Sequence, residues 1–180
     1  MGDYSATAPS SILAARRADD HSARSDLAML NGARIVSINE LPGGMRLDET
    51  VTKQLAGREP ISARFLYKEH FTFLPRFTPW VRTNHRPIIK GTDNGIWRRM
   101  VIIPFRRTFT PEEQDNDMEA KLLNEAEGIL SWMVKGAQHY LASGLKYSKA
   151  MKSEVAQYRS DSDLLGTFLD DETTADPTAE

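Results

Sequence analysis

Arg34-Ile35-Val36-Ser37-Ile38-Asn39-Glu40 is the stretch on which the fold turns. Its β-branched run closes on an amide and an acid, the composition of a buried strand with a polar end. Pro42-Gly43-Gly44 then breaks the chain. Asp48 caps a helix expected to run to about Leu55, with Glu49 in the first turn, where the helix dipole favours an acid. Gly57-Arg58-Glu59-Pro60 ends it.

Downstream, Ile61 to Phe77 reads as a β-hairpin. Phe65, Phe71 and Phe73 give the apolar spacing of two and are expected in the core. Tyr67-Lys68-Glu69-His70 sits between the arms, without the Asn-Gly pair that marks the tightest turns. Pro79 to Asn84 is a second expected strand, and Met100 to Phe105 a third, the most apolar of the set. Upstream, Met1 to Asn31 is sparse in apolar residues. Leu27, Met29 and Leu30 end a short helix that stops at Asn31-Gly32, and Arg16 to Arg24 reads as a solvated helix or loop.

After Pro111 the period changes. Met118, Leu122 and Leu123, then Ile129, Leu130, Met133, Val134, Ala137 and Leu141, give helices with one apolar face, the last stopped by Gly144. Further helices are expected over about Ser148 to Arg159 and Ser162 to Leu169, and a disordered end from Thr173. Strands alternating with helices, then helices alone, make an α/β core followed by an α-helical C-terminal region.

The 180 residues suffice for one domain with a real core, and 40% hydrophobic with 27% charged residues is a globular balance. The net charge of -2 hides an asymmetry. From Arg76 to Arg107 run Arg76, Arg82, Arg86, Lys90, Arg98, Arg99, Arg106 and Arg107, with Asp93 as the single acid. Such a local basic segment suits a phosphate-facing surface. The sequence has no cysteine, which excludes disulfides, thiolate zinc sites and cysteine nucleophiles. His21, His70, His85 and His139 show no metal-ligand spacing. No apolar run reaches membrane-spanning length, and a cytoplasmic location is expected.

Three expected strand ends carry polar residues: Glu40, Asn84, and the Arg98-Arg99 pair just before the third strand. Ligands of open α/β sheets bind beyond the carboxyl ends of strands. There an acid holds Mg²⁺ or polarises a water, an amide orients that water, and an arginine neutralises charge on a phosphoryl group. Singly, each has an ordinary reading: a loop acid, a turn-shaping amide, a surface pair of arginines.

Their order and spacing resemble the superfamily-3 helicase domain of phage and plasmid primase-helicases. The resemblance runs through Ala33 to Glu40, Leu47-Asp48-Glu49, Val51 to Gly57, Pro60 to Leu66, Thr83-Asn84-His85-Arg86-Pro87 and Ile96-Trp97-Arg98-Arg99 to Phe105. It continues in Gly128-Ile129-Leu130-Ser131-Trp132 and Tyr158 to Asp163. It implies a partial P-loop NTPase core of AAA+ type over 1–110, a helical subdomain over 111–170 and a disordered tail over 171–180. By this resemblance Glu40 is the Walker B acid, supporting Mg²⁺ and activating water. Asn84 is the sensor of the ATP γ-phosphate, and Arg98 or Arg99 is the finger that reaches a neighbouring subunit's nucleotide. The hairpin would meet single-stranded or forked DNA through Lys68, Tyr67 and His70, inside a homo-oligomeric ring, a hexamer in the intact parent.

The sequence departs from that pattern in one large respect. A phosphate cradle uses Gly-Lys-Ser/Thr, and these residues contain no Gly-Lys pair. The family's loop lies just upstream of the segment that Gly2-Asp3-Tyr4 resembles. The expectation is a helicase fragment lacking the Walker A loop, deficient in ATP hydrolysis alone, with a sheet edge or apolar face left open. Asn39, where many nucleotide motors carry a second acid, is expected to weaken Mg²⁺ binding. The alternatives are a non-catalytic single-stranded-DNA-binding or interaction module, and a decayed prophage gene product.

Overall fold

The computed structural model describes residues 4–16, 24–57, 59–91 and 94–163. The chain divides into two units, 1–100 with 157–180, and 101–156. The expected helix beyond Ser162, the expected disordered end and most of 16–24 lie outside the described residues.

The first unit is a mixed α/β structure built on a three-stranded parallel sheet. Its strands are β1 (Ser5–Ala8), β2 (Ile35–Asn39) and β5 (Thr78–Arg82), in the order β1-β2-β5. In register, Ser5 faces Ile35 and Ala8 faces Ile38, while Ile35 faces Thr78 and Asn39 faces Arg82. Val36 and Ile38 alternate onto the covered face of β2 and are fully buried. The outer strand is more open, with Trp80 and Val81 exposed.

A 3-10 turn (Ser10–Leu13) and helix α1 (Ser25–Ala28) precede β2. Ile12, Leu27 and Leu30 enter the core, and Gly32 at φ 88° takes the left-handed conformation that turns the chain into β2. Helix α2 (Glu49–Leu55) forms as expected. The Asp48 side chain accepts from the Val51 N–H at 3.0 Å, and the i, i+4 pair Val51 and Leu55 is buried. Strands β3 (Ile61–Ala63) and β4 (Phe71–Phe73) pair antiparallel as the expected hairpin. Its aromatics divide: Phe73 is buried, Phe71 half-buried and Phe65 exposed, its ring stacked on Phe71 at 6.0 Å between centroids. Phe65 lies past the end of β3, so no paired strand carries it inward. Helix α3 (Asn94–Trp97) closes the unit's core with Ile96 and Trp97.

One strand expectation is corrected, and one strand arises that was not expected. Met100 to Phe105 forms no strand. A strand exists by hydrogen bonding to a neighbour, and this segment has none among the described residues; Pro104 also has no N–H to give. The remaining parallel strand is instead Ser5–Ala8, whose small residues carry no β-branched run.

The second unit holds α4 (Met118–Asn124), α5 (Ala126–Ser143) and the start of α6 (Lys149–Ser162). A 3-10 turn at Pro111–Glu113 precedes them, and the Glu113 carboxylate accepts from the Thr110 N–H at 3.1 Å and from Arg107 at 2.8 Å. Gly144, at φ 69°, ends α5. No residue of 101–156 is buried; Leu122, Leu130 and Met133 remain about half exposed or more. The last turns of α6 belong to the first unit, where Tyr158 is buried.

Candidate functional site

The carboxyl ends of β2 and β5 lie side by side, and they carry Glu40 and Asn84. Glu40 is the first residue past β2 and takes φ 54°, a conformation L-residues seldom adopt. Its N–H donates to the Arg82 carbonyl at 2.8 Å, so the acid is tied to the neighbouring strand's end. Asn84 follows β5 by two residues in a turn where the Thr83 hydroxyl accepts from the His85 N–H at 3.0 Å. Both side chains are exposed. The loop after Glu40 runs past the same turn: a Cβ on Gly43 would stand 3.9 Å from His85 Nδ1. Acid and amide therefore share one rim of the sheet, where parallel α/β structures receive ligands.

Asn39 and Arg82 end the paired strands and bond to each other. Arg82 donates through Nε at 3.0 Å and through a terminal nitrogen at 2.9 Å, both to Asn39 Oδ1. The position before Glu40 thus holds a neutral amide occupied by a cation, where a second acid would have drawn Mg²⁺. Among the described residues, no group of three or more Asp, Glu or His stands together as a metal cage.

The arginine pair follows α3 and precedes no strand. Arg99 donates to the Gly95 carbonyl at 2.6 Å and is part-buried. Arg98 is exposed. The two differ because the short helix folds Arg99 back over its own last turn, satisfying a terminal carbonyl. The sequence left this choice open; the helix end decides which guanidinium projects.

The hairpin tip holds the remaining candidates. Tyr67 is 95% exposed and sits at φ 60°. Lys68 and His70 are exposed beside it, and the Lys68 N–H donates to the Phe65 carbonyl at 3.1 Å. The tip therefore combines two cations or cation-capable groups with aromatic faces, the composition that tracks single-stranded backbone and stacks bases.

The residues that hold this rim lie within the motifs of the resemblance, but sequence reasoning assigned them no role. Tyr158 donates its hydroxyl to the Pro87 carbonyl, three residues past Asn84. Its ring meets Trp97 edge-on, with centroids 5.2 Å apart and planes at 85°. The Arg86 guanidinium lies 5.3 Å over the same ring and 3.6 Å from Asp161. Burial pushes the Tyr158 hydroxyl up to about 12, against a smaller opposing effect of Arg86. The apolar period of α6 does not single out Tyr158, so only its buried hydroxyl reveals the role.

No protein-family model matches the chain. It is 27% identical over 188 residues to a protein of Acanthamoeba polyphaga mimivirus named "Putative helicase L207/L206", matching 95% of this chain. It is 26% identical over 199 residues to "Putative helicase 022R" of Frog virus 3 (isolate Goorha), matching 98% of this chain. The chain spans 20% of the length of each. The relationship is thus to viral proteins of helicase name.

Proposed function

We propose that this chain is the part of a nucleotide-driven DNA helicase that supplies the water-activating acid, the phosphate-sensing amide and the trans-acting arginine. One observation carries the reading: Glu40 and Asn84 stand at adjacent carboxyl ends of two neighbouring parallel strands. With nucleotide bound, Glu40 would orient the attacking water and help hold Mg²⁺, and Asn84 would contact the γ-phosphate. Arg98 reaches the nucleotide of a neighbouring copy in a closed ring, because a finger in trans demands a heterologous, closing interface. A superfamily-3 assignment within the helicases rests on the motif resemblance. The similarity to two viral proteins of helicase name supports the broader reading.

The phosphate cradle has no counterpart in these 180 residues. Mg²⁺-dependent ATP hydrolysis by them alone is therefore expected at background. Joined to a segment bearing a Gly-Lys-Ser/Thr loop, the chain is expected to turn over ATP, and Glu40→Gln to cut that turnover by about a hundredfold or more, the worth of a positioned base. Turnover indifferent to Glu40→Gln overturns the site; robust turnover by the 180 residues alone overturns the need for a separate loop.

A second reading is favoured by the hairpin tip. The exposed Tyr67, Phe65 and Lys68 suit a non-catalytic contact with single-stranded DNA. Salt-sensitive DNA binding without ATP turnover in the joined form would select it.

A further inference from the structure

The segment from Pro87 to Gly91 joins the Asn84 turn to the helix that presents Arg98, and it is held at several separate points. At its start, the Pro87 carbonyl accepts the Tyr158 hydroxyl. In its middle, Ile88 exchanges backbone hydrogen bonds with the chain after Glu40: its N–H donates to Met45 at 2.7 Å and its carbonyl accepts from Leu47 at 2.9 Å. At its end, Glu49 Oε1 accepts from the Gly91 N–H at 2.7 Å and the Lys90 N–H at 3.2 Å. The Gly91 carbonyl in turn accepts from Trp97 Nε1 at 3.2 Å. Both faces of the Gly91 region are thus gripped, one by a carboxylate and one by the indole of the helix that Arg98 follows.

We infer that Glu49 is a positioning residue for the arginine-bearing turn. Its carboxylate fixes the Lys90–Gly91 backbone, and the Gly91 carbonyl then fixes Trp97 and with it the start of the Arg98 turn. The inference deepens the function proposed above and rests on it for the importance of Arg98. Three facts favour this over a plain helix-end acid. A first-turn acid that only complements the dipole needs no partner, whereas this one accepts two N–H groups some forty residues away in sequence. Charge-assisted hydrogen bonds of this kind are the strong ones. A Cβ on Gly91 would overlap the Glu49 carboxylate where it stands, so any larger residue there displaces it from these N–H groups. The Asp48 side chain already caps α2, which leaves Glu49 free for another task.

The test compares wild type with Glu49→Gln, Glu49→Ala, Gly91→Ala and a core control on the same helix, Val51→Ala, using ¹⁵N-labelled chain. Glu49→Ala is expected to speed amide exchange at Lys90 and Gly91 by about tenfold or more, the equivalent of one charge-assisted hydrogen bond. The Trp97 indole N–H and the Arg98 amide resonances move, while the β2 amides keep their protection. Gly91→Ala, which displaces the carboxylate from the other side, gives the same signature. Glu49→Gln, which keeps an acceptor oxygen but not the charge, restores much of the wild-type pattern. Val51→Ala lowers the melting temperature without that local signature. Unchanged exchange at Lys90 and Gly91 in Glu49→Ala, an equal local response in Val51→Ala, or failure of Glu49→Gln to restore the pattern would overturn the inference. None of these readouts uses nucleotide. ATP turnover indifferent to Glu40→Gln would sink the reading of the site and leave the lock standing, and the converse result separates them the other way.

Discussion

The Glu40 N–H donates to the Arg82 carbonyl at 2.8 Å, so the acid at the end of β2 is held by the end of β5, two residues before Asn84. This bond extends the β2–β5 pairing one residue beyond the strands. It does so with Glu40 at φ 54°, where a side chain crowds its own backbone. A non-glycine residue at such a position costs about 1 kcal/mol and is most often kept where chemistry needs its side chain.

Glu40→Gly separates the two roles. Glycine relieves the left-handed strain, and the chain is expected to gain up to about 1 kcal/mol in denaturant unfolding, while the form joined to a phosphate loop is expected to lose ATP turnover. A loss of stability would mean that the Glu40 side chain holds the fold.

Arg98 and Arg99 should part company on substitution. Arg99→Ala removes the guanidinium's bond to the Gly95 carbonyl and is expected to cost about 1 kcal/mol, the net worth of a hydrogen bond at a part-buried site. Arg98→Ala, at an exposed position, should leave stability within about 0.5 kcal/mol. In the ATP-hydrolysing form, Arg98→Ala should abolish turnover, and mixing it with a Glu40→Gln partner should restore a fraction of it, since one intact interface then carries both groups. Urea melts and mixed-subunit assays read the two effects.

Tyr158 ties stability to alkaline pH. Its hydroxyl is raised from 10.0 to about 12 in the folded chain by burial. A raised folded value means that the contribution is fully present below the unfolded value and is lost as pH climbs from 10.0 through about 12. Tyr158→Phe should flatten that part of the profile and cost about 1–3 kcal/mol at neutral pH, because the Pro87 carbonyl is left buried without a donor. Unfolding followed between pH 8 and 12 checks both. An unchanged slope in the variant would remove Tyr158 from the account.

The hairpin tip should act on DNA without acting on the fold. Lys68→Ala is expected to lower the salt dependence of single-stranded DNA binding by about 0.7 in log-log slope, one phosphate's share. Tyr67→Ala should weaken binding by about 1–3 kcal/mol if the ring stacks on a base. Neither should shift the melting temperature, since Tyr67 is 95% exposed. Binding untouched by both variants would remove the tip as the contact.

Much of this architecture was legible because local chemistry and tertiary fold agree. The run Ile35–Asn39, the Asp48 cap with Val51 and Leu55, the paired apolar arms of the hairpin and the long periodic α5 each combine a propensity with a pattern. Met100 to Phe105 shows the limit. It has the most strand-like composition in the chain and forms none, while Ser5–Ala8, with no such composition, pairs with Ile35–Ile38. Composition measures how well a residue suits a pleated surface; a strand also needs a neighbour in register, and that is not written locally.

The candidate site divides in the same way. By itself the sequence determined that an acid and an amide follow apolar runs and that two arginines precede a third, in an order suited to phosphate chemistry. It also determined that an aromatic and basic segment lies between two hairpin arms. Only the tertiary structure decided that β2 and β5 are neighbours, which brings Glu40 and Asn84 to one rim. It alone placed the Glu49 carboxylate on Gly91 and the Tyr158 hydroxyl on Pro87. The reason is physical: propensity and periodicity act over a few residues along the chain, whereas hydrogen bonds between residues forty to seventy apart exist only once packing has fixed both partners in space.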